Sequence, residues 1–317
     1  MTDINLAPGF SIEKADTAER YEGLRDLWCR VFGDAPEYVD AFYGNFGGDI
    51  TGYTAVDESG SVCSALTRHL CGTYEDRPVY VSYAICTRED MRGKGLAAAL
   101  ASLARDEAAA DGGISILSPA EPSLVSYYEQ LGYEPYFFAA GETAMSPDLD
   151  SEEFDDFNEF DLDIEGADPS PVTADLDLRS IPAGEYNRYR EEFLSGRPHI
   201  EPSAAMLRLI ESETMDGQGL YLINRGDAIC AVSSADAESV RITELILNPA
   251  LKAFSSDIDY EIASQLAKHF GSARAVYTTP GAGACQGMIW GLTDGTGTRA
   301  GAEEEFCGEP YYGFPIQ

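Results

Sequence analysis

Arg92, Gly93, Lys94 and Gly95 stand between a short apolar run and a stretch rich in alanine and leucine. The run, Val81 to Cys86, is dense in β-branched and aromatic residues and reads as a buried strand. Thr87-Arg88-Glu89-Asp90 follows as a polar turn, and helix-forming residues then continue from Leu96 to near Asp111. A helix that opens on such a loop presents N–H groups with no intrahelical partner, and its dipole favours a negative ligand. Glycine lets that ligand reach the backbone, while Arg92 and Lys94 add positive charge. The chemistry these residues suit is the cradling of a pyrophosphate. Two common phosphate loops are excluded, because neither GxxxxGK followed by Ser or Thr nor GxGxxG occurs.

The pattern that does occur is RxxGxA, from Arg92 to Ala97. It resembles the acetyl-CoA loop of the GNAT N-acetyltransferases, in which Gln or Arg is followed by xxGx and Gly or Ala. Further along, Leu124-Val125-Ser126-Tyr127-Tyr128-Glu129-Gln130-Leu131-Gly132-Tyr133 resembles the second signature of that family, a helix ending in Leu-Gly-aromatic. A strand-like stretch, Ile114 to Leu117, lies between the two. The resemblance covers roughly residues 8 to 145 and implies acetyl-CoA as cofactor, held through Ile85, Cys86, Thr87, Arg92, Gly93, Lys94, Gly95, Leu96 and Ala97. In the first three, the main chain of a splayed strand would pair with the pantetheine arm.

Acetyl transfer from a thioester to an amine needs a held cofactor, a neutral amine and a proton for the departing thiolate. By resemblance Tyr128 supplies that proton, and a phenol with an ordinary pKa near 10 carries one at neutral pH. Tyr127, its neighbour on a different helix face, reads as packing. Glu121 stands where many members of the family carry asparagine; it either favours a helix start or meets the substrate amine. The general base stays open among carboxylates on the hairpin strands, a water chain, and the terminal carboxylate at Gln317. That last candidate comes from relatives of the enhanced-intracellular-survival type. Cys86 reads as a packing residue, and His69, His199 and His269 as structural or surface residues.

The elements that must position these groups can be read from apolar spacing. Phe10 to Ala15 is strand-like; Thr17 to Phe32 and Ala35 to Phe46 are helical; Thr51 to Val56 and Ser61 to Leu70 form a hairpin around Glu58-Ser59-Gly60. After Tyr136 the composition shifts. Asp148 to Asp168 holds eleven acidic residues, the mark of a solvated linker. From Asp175 the strand and helix pattern begins again, with strands at Leu178–Ile181, Gly219–Ile223, Ala228–Ser233, Val240–Leu247 and Ala273–Thr278. Helices are expected at Ala183–Leu194, Ser203–Glu213 and Tyr260–Phe270, and closing strands at Gln286–Leu292 and Tyr311–Ile316. The fold class expected is α/β (α+β): two tandem GNAT-like domains, each a mixed and mostly antiparallel sheet flanked by helices. Residues 1–146 would be the catalytic domain, 147–174 an acidic linker and 175–317 a degenerate second copy. The loop Asn248-Pro249-Ala250-Leu251-Lys252 in that copy lacks the cofactor pattern.

The net charge of −34, from 55 acidic and 21 basic residues, argues against nucleic-acid binding, which needs basic surface. It would draw cationic amines weakly and in a salt-dependent way. Seven cysteines without a CxxC pair argue against a metal cluster or a disulfide framework and for reduced, cytoplasmic thiols. No metal or membrane partner is expected. The leading expectation is an acetyl-CoA-dependent acyltransferase acting on a primary amine of a small molecule or peptide. The alternatives are a non-catalytic acyl-CoA sensor or interaction protein working through the acidic linker, and transfer of a longer acyl chain.

Overall fold

A computed structural model describes residues 6–147, 176–216, 219–251, 257–280 and 283–292. The first elements are β1 (Phe10–Lys14), α1 (Ala18–Phe32), α2 (Pro36–Phe46), β2 (Ile50–Asp57), β3 (Val62–Tyr74) and β4 (Arg77–Thr87). Then come α3 (Leu96–Ala110), β5 (Ile114–Leu117), α4 (Val125–Glu129) and β6 (Glu134–Met145). The chain continues through β7 (Leu178–Ser180), α5 (Ala183–Phe193), β8 (Glu201–Pro202), α6 (Ala204–Asp216), β9 (Gly219–Ile223) and β10 (Ala228–Ala235). It ends, among the described residues, with β11 (Ser239–Leu247), α7 (Ile258–Phe270), β12 (Arg274–Pro280) and β13 (Ala284–Trp290).

These elements form two compact units that do not follow the chain in consecutive blocks. One gathers the residues up to Phe138 together with Gly196–Leu209 and the strand beginning at Ala284; the other gathers Ala139–Ser195 and Ile210–Gly283. In the first unit the strand order is β1-β2-β3-β4-β5-β13, with the opening residues of β6 beside β13 and β8 paired to β3. β1 with β2, β2 with β3, β3 with β4, β3 with β8 and β5 with β13 pair antiparallel, and β4 with β5 pairs parallel. Helix α3 packs on one face, where Leu96, Leu100, Ala101 and Ala104 meet Tyr53, Ala55, Cys63 and Leu66. The small side chains of α3 let the helix lie close to the sheet. On the opposite face Trp28, Phe42, Phe46, His69 and Tyr83 form an aromatic cluster, with Trp28 and Phe42 at 5.5 Å and Phe42 stacked on Tyr83 at 5.2 Å. Helix α1 starts at Thr17, whose hydroxyl accepts from the Arg20 N–H, and stops at Gly33 in the left-handed region.

The second unit repeats this plan in the order β6-β12-β11-β10-β9-β7, with residues 139–145 of β6 on β12. Helix α7 presses Ile258, Ile262, Leu266 and Ala267 onto Cys230, Val240, Ile242 and Ala275. Arg190 and Glu244 are buried together, Nε to Oε1 at 3.2 Å, and the Tyr186 hydroxyl donates to Glu244 Oε2 at 2.8 Å.

The observed elements depart from the sequence reading in three places. β3 runs on to Tyr74 and β4 begins at Arg77, joined by Glu75 and Asp76, both with positive φ. Such a turn usually calls for Asn-Gly, Asp-Gly or Gly-Gly, and with Glu at its first position and no Gly this pair is only a weak turn signal. β6 has no counterpart among the expected strands. The strand expected near Gln286 pairs with β5 of the first unit (Met288 with Leu117, Trp290 with Ser115) and does not close the second half. β5 is buried along its whole length, so it needs a partner on each side. The acidic segment at 148–168, the strand expected at 311–316 and Gln317 lie outside the described residues.

Candidate active site

The site is built on β4, the glycine loop beyond it and the start of α3. β4 runs parallel to β5 for three pairs, Val79 with Ile114, Tyr80 with Ser115 and Val81 with Ile116. From Ser82 to Thr87 it has no ladder partner in β5, while β3 stays paired to it as far as Thr87. Among the described residues β4 and β5 thereby part after Val81, opening the sheet where the donors and acceptors of a parallel ladder would otherwise meet. The opening coincides with a bulge. Ala65 faces Cys86 and Thr67 faces Tyr83, so Leu66 alone opposes Ala84 and Ile85. Ala84 is held at φ 50°, a strained conformation for a residue with a Cβ. Thr67 Oγ1 donates to the Tyr83 carbonyl at 3.0 Å, and Ser64 Oγ to the Cys86 carbonyl at 2.8 Å, fixing the bulge from β3.

Beyond Thr87 a single 3-10 turn, Glu89–Met91, leads into the loop. Gly93 and Gly95 lie at φ 77° and 75°, which only glycine adopts without cost. A Cβ at either position would meet nothing within 4 Å, so no neighbouring atom crowds the loop at these two positions. Gly95 is the N-cap of α3 and offers no side chain to the first turn, which leaves those N–H groups for a ligand. Arg92, Gly93, Lys94 and Gly95 are all exposed. Arg92 Nε reaches the Thr87 carbonyl at 3.5 Å, and Lys94 Nζ lies 5.4 Å from the centre of the Phe10 ring.

Tyr128 is placed by a 3-10 turn, Pro122–Leu124, that runs into α4. The helix is stopped by Gly132 in the left-handed region, with the Tyr133 N–H returning to the Tyr128 carbonyl at 3.1 Å. Tyr128 is buried with Leu117, Tyr133 and Met288, and Ile85, Tyr127 and Cys285 pack against that cluster. Tyr128 therefore shares one cluster with Met288 of β13, against which Ile85 from the open part of β4 packs. Burial pushes its pKa up to about 12, with Tyr127 and Tyr133 adding to the rise. Tyr127 is less buried and its pKa is also raised by burial. Glu121 is exposed at the head of the turn and accepts from Ser123 Oγ at 3.2 Å. Burial pushes the Cys86 thiol up to about 12, which keeps it an inert packing group.

No protein-family model and no curated protein sequence matches the chain. Solved structures do. A GCN5-related N-acetyltransferase from Anabaena variabilis superposes with a TM-score of 0.63 over 88% of this chain and 72% of that one, at 13% identity. A probable N-acyltransferase from Enterococcus faecalis gives 0.61 over the same shares at 12% identity. Eis1 from Mycobacterium abscessus gives 0.54, again over 88% and 72%, at 12% identity. The chain has the GCN5-related N-acetyltransferase (GNAT) fold.

Within the GNAT fold, the residues picked from the sequence fall into two groups. Ile85 to Ala97 lie consecutively along the open strand, the loop and the helix start, and Tyr128 packs in the cluster that Ile85 touches. Glu121 stands apart on the surface, and Gln317 lies outside the described residues. Sequence reasoning missed the bulge at Ala84 and the contribution of Cys285 and Met288 from β13. Alanine gives no local signal for positive φ, and β13 reaches the site only through long-range pairing. The second unit repeats the three-pair parallel contact (Ser239 with Arg274 to Arg241 with Val276) and a bulge at Thr243. Its following turn is different: Asn248 Oδ1 accepts the Ala250 N–H at 3.0 Å, and the Asn248 carbonyl accepts from Leu251. Those donors are used internally. Among the described residues no helix is long and apolar enough to cross a membrane.

Proposed function

We propose that the first unit is an acetyl-CoA-dependent N-acetyltransferase that moves an acetyl group directly to a primary amine. One observation carries this reading: β4 parts from β5 after Val81, and the strand then leads through the Glu89–Met91 turn into the Gly93–Gly95 loop at the start of α3. Ile85, Cys86 and Thr87 would offer main-chain groups to the pantetheine arm. Gly93, Gly95, Leu96 and Ala97 would offer N–H groups to the pyrophosphate, with Arg92 and Lys94 balancing its charge. When bound, acetyl-CoA supplies an acyl thioester. The second unit, with its loop donors spent on Asn248, would serve as scaffold.

Tyr128 holds the proton. A phenol near pKa 12 is fully protonated at neutral pH, yet a thiolate has a pKa of about 8.5, so complete transfer would be uphill by about 4 to 5 kcal/mol. Tyr128 therefore acts mainly as a hydrogen bond that strengthens while charge grows on sulfur. Its worth lies towards the lower end of acid–base catalysis, about 10- to 100-fold. The acceptor would approach past the exposed rings of Phe32 and Tyr83, which flank Trp28. Trp28 Nε1 donates to Asp34 at 2.7 Å, so aromatic faces and a carboxylate lie together, a combination that suits a cationic amine.

The test is acetyl transfer by wild type and Tyr128→Phe across a panel of amines, scored by thiol release. A fall of about 10- to 100-fold in kcat with the KM for acetyl-CoA unchanged is expected. The rate should also show no alkaline fall assignable to Tyr128 up to pH ~10. A Tyr128→Phe enzyme as fast as wild type refutes the role of the tyrosine. Binding of acetyl-CoA without transfer to any amine favours a non-catalytic sensor.

A further inference from the structure

Arg88 precedes the glycine loop and belongs to no part of the Arg92–Ala97 pattern. Its guanidinium grips Asp90 twice, Nε to Oδ1 at 2.7 Å and Nη2 to Oδ2 at 3.1 Å, and Nη2 lies 4.0 Å from Asp57 Oδ2. Asp57 in turn organises the tip of the β2–β3 hairpin. Its Oδ1 accepts the Ser59 N–H at 3.0 Å, the Ser59 hydroxyl at 2.6 Å and the Ser61 N–H at 3.0 Å. Its Oδ2 accepts from the Cys63 thiol at 3.6 Å. The main chain makes the same connection: the Arg88 N–H donates to the Cys63 carbonyl at 2.8 Å, and the Arg88 carbonyl accepts the Met91 N–H at 2.9 Å. The side chains of Arg88 and Asp57 are 26% and 22% exposed, so solvent screens the contact only in part.

We propose that Arg88, clamped between Asp57 and Asp90, is a positioning residue for the cofactor loop, which makes the β2–β3 hairpin tip part of the scaffold of the acyl-CoA site. This rests on the acetyl-CoA reading above. The clamp sets the point at which β4 ends and the turn into Arg92 begins, and so the direction in which the Gly93 and Gly95 N–H groups face. Preorganisation of this kind lowers what the loop must give up on binding.

The sign of one substitution separates positioning from simple electrostatics. Asp57→Asn removes a negative charge beside an anion site, which on charge alone would tighten binding of coenzyme A. If Asp57 works by holding Arg88 in place, the same change weakens it. Coenzyme A should be titrated calorimetrically into wild type, Arg88→Met, Asp57→Asn and the double variant, with melting temperatures recorded alongside. Each single variant is expected to bind about three- to tenfold more weakly while still fully folded at the titration temperature. The double variant is expected to be no worse than the weaker single, since both changes break one clamp. Arg88→Lys, which keeps the charge but not the two-pronged contact, should fall between Arg88→Met and wild type. Tighter binding by Asp57→Asn would make Arg88 a restrained phosphate ligand and overturn the proposal, as would unchanged affinity in Arg88→Met. A wild-type protein that does not bind coenzyme A removes the reading of the site and this proposal together; wild-type binding with indifferent variants removes the proposal alone.

Discussion

His69 is the group whose replacement has the most calculable consequence. It sits on β3 beneath Tyr83, 4% exposed, with its ring 4.3 Å from that of Phe46 and 5.3 Å from that of Phe42. Among the described residues its buried Nδ1 has no hydrogen-bond partner, and burial lowers its pKa from 6.5 to about 3. The imidazole is thus neutral in the folded protein at every ordinary pH, which excludes it as a base poised for an ammonium substrate. In the unfolded chain the same group takes up a proton below 6.5. The unfolded state therefore binds more protons than the folded one as the pH falls, so stability is lost from about pH 6.5 downwards and the loss is complete only near pH 3. Between pH 7.5 and 5.0 linkage assigns His69 a loss of about 2 kcal/mol. His69→Phe keeps an aromatic ring in the box and removes the unpaired nitrogen, so its stability at pH 7.5 should lie within about 1 kcal/mol of wild type. The assay is urea unfolding at the two pH values, followed by tryptophan fluorescence. Both tryptophans, Trp28 and Trp290, belong to the first unit, so the signal reports on the domain that contains His69. His199 and His269 are common to both proteins and cancel. Wild type should lose about 2 kcal/mol more than the variant on acidification. Equal losses would refute the claim that the imidazole is held neutral.

In the loop, Gly95→Ala places a Cβ in open space but in the left-handed region, at a cost of about 1 to 2 kcal/mol. That cost should show as lower stability in a melt, or as roughly 5- to 30-fold weaker binding of coenzyme A, or as a division between the two; no change in either would show that the loop does not need the left-handed glycine. In the second unit, Arg190→Met leaves the carboxylate of Glu244 buried without its cation and should destabilise by about 3 to 5 kcal/mol. The pair Arg190→Met with Glu244→Leu should recover most of that in chemical unfolding, and a double variant as unstable as the single would contradict the ion-pair account.

Much of the candidate site could be read from the chain because its signals are local. A glycine pair before an alanine-rich helix encodes the left-handed turn and the open helix start within a few residues. The Tyr128 helix likewise carries its own stop in Gly132. Helix α1, capped by Thr17 and ended by Gly33, and the hairpin around Glu58-Ser59-Gly60 are equally local. The elements that depart from expectation lack such signals. Glu75 and Asp76 turn between β3 and β4 at positive φ without a glycine, Glu75 having no intrinsic preference for it, and are held there by the strands they join. Arg88 has the look of any polar turn residue until Asp57, distant in sequence, comes within reach.

The amino-acid sequence by itself determined the glycine turn before α3, the helix that carries Tyr128 and the repeated alternation of strand and helix, because propensity, glycine conformation and apolar period act between near neighbours. Only the tertiary structure decided that β4 leaves β5 after Val81, that Ala84 is forced into a bulge, and that β13 rather than a nearer strand flanks β5 beside Tyr128. Those features are pairings between segments far apart in the chain, settled by which buried strand edge finds a partner, and residues that compete for such an edge carry no mark of the outcome in their own local sequence.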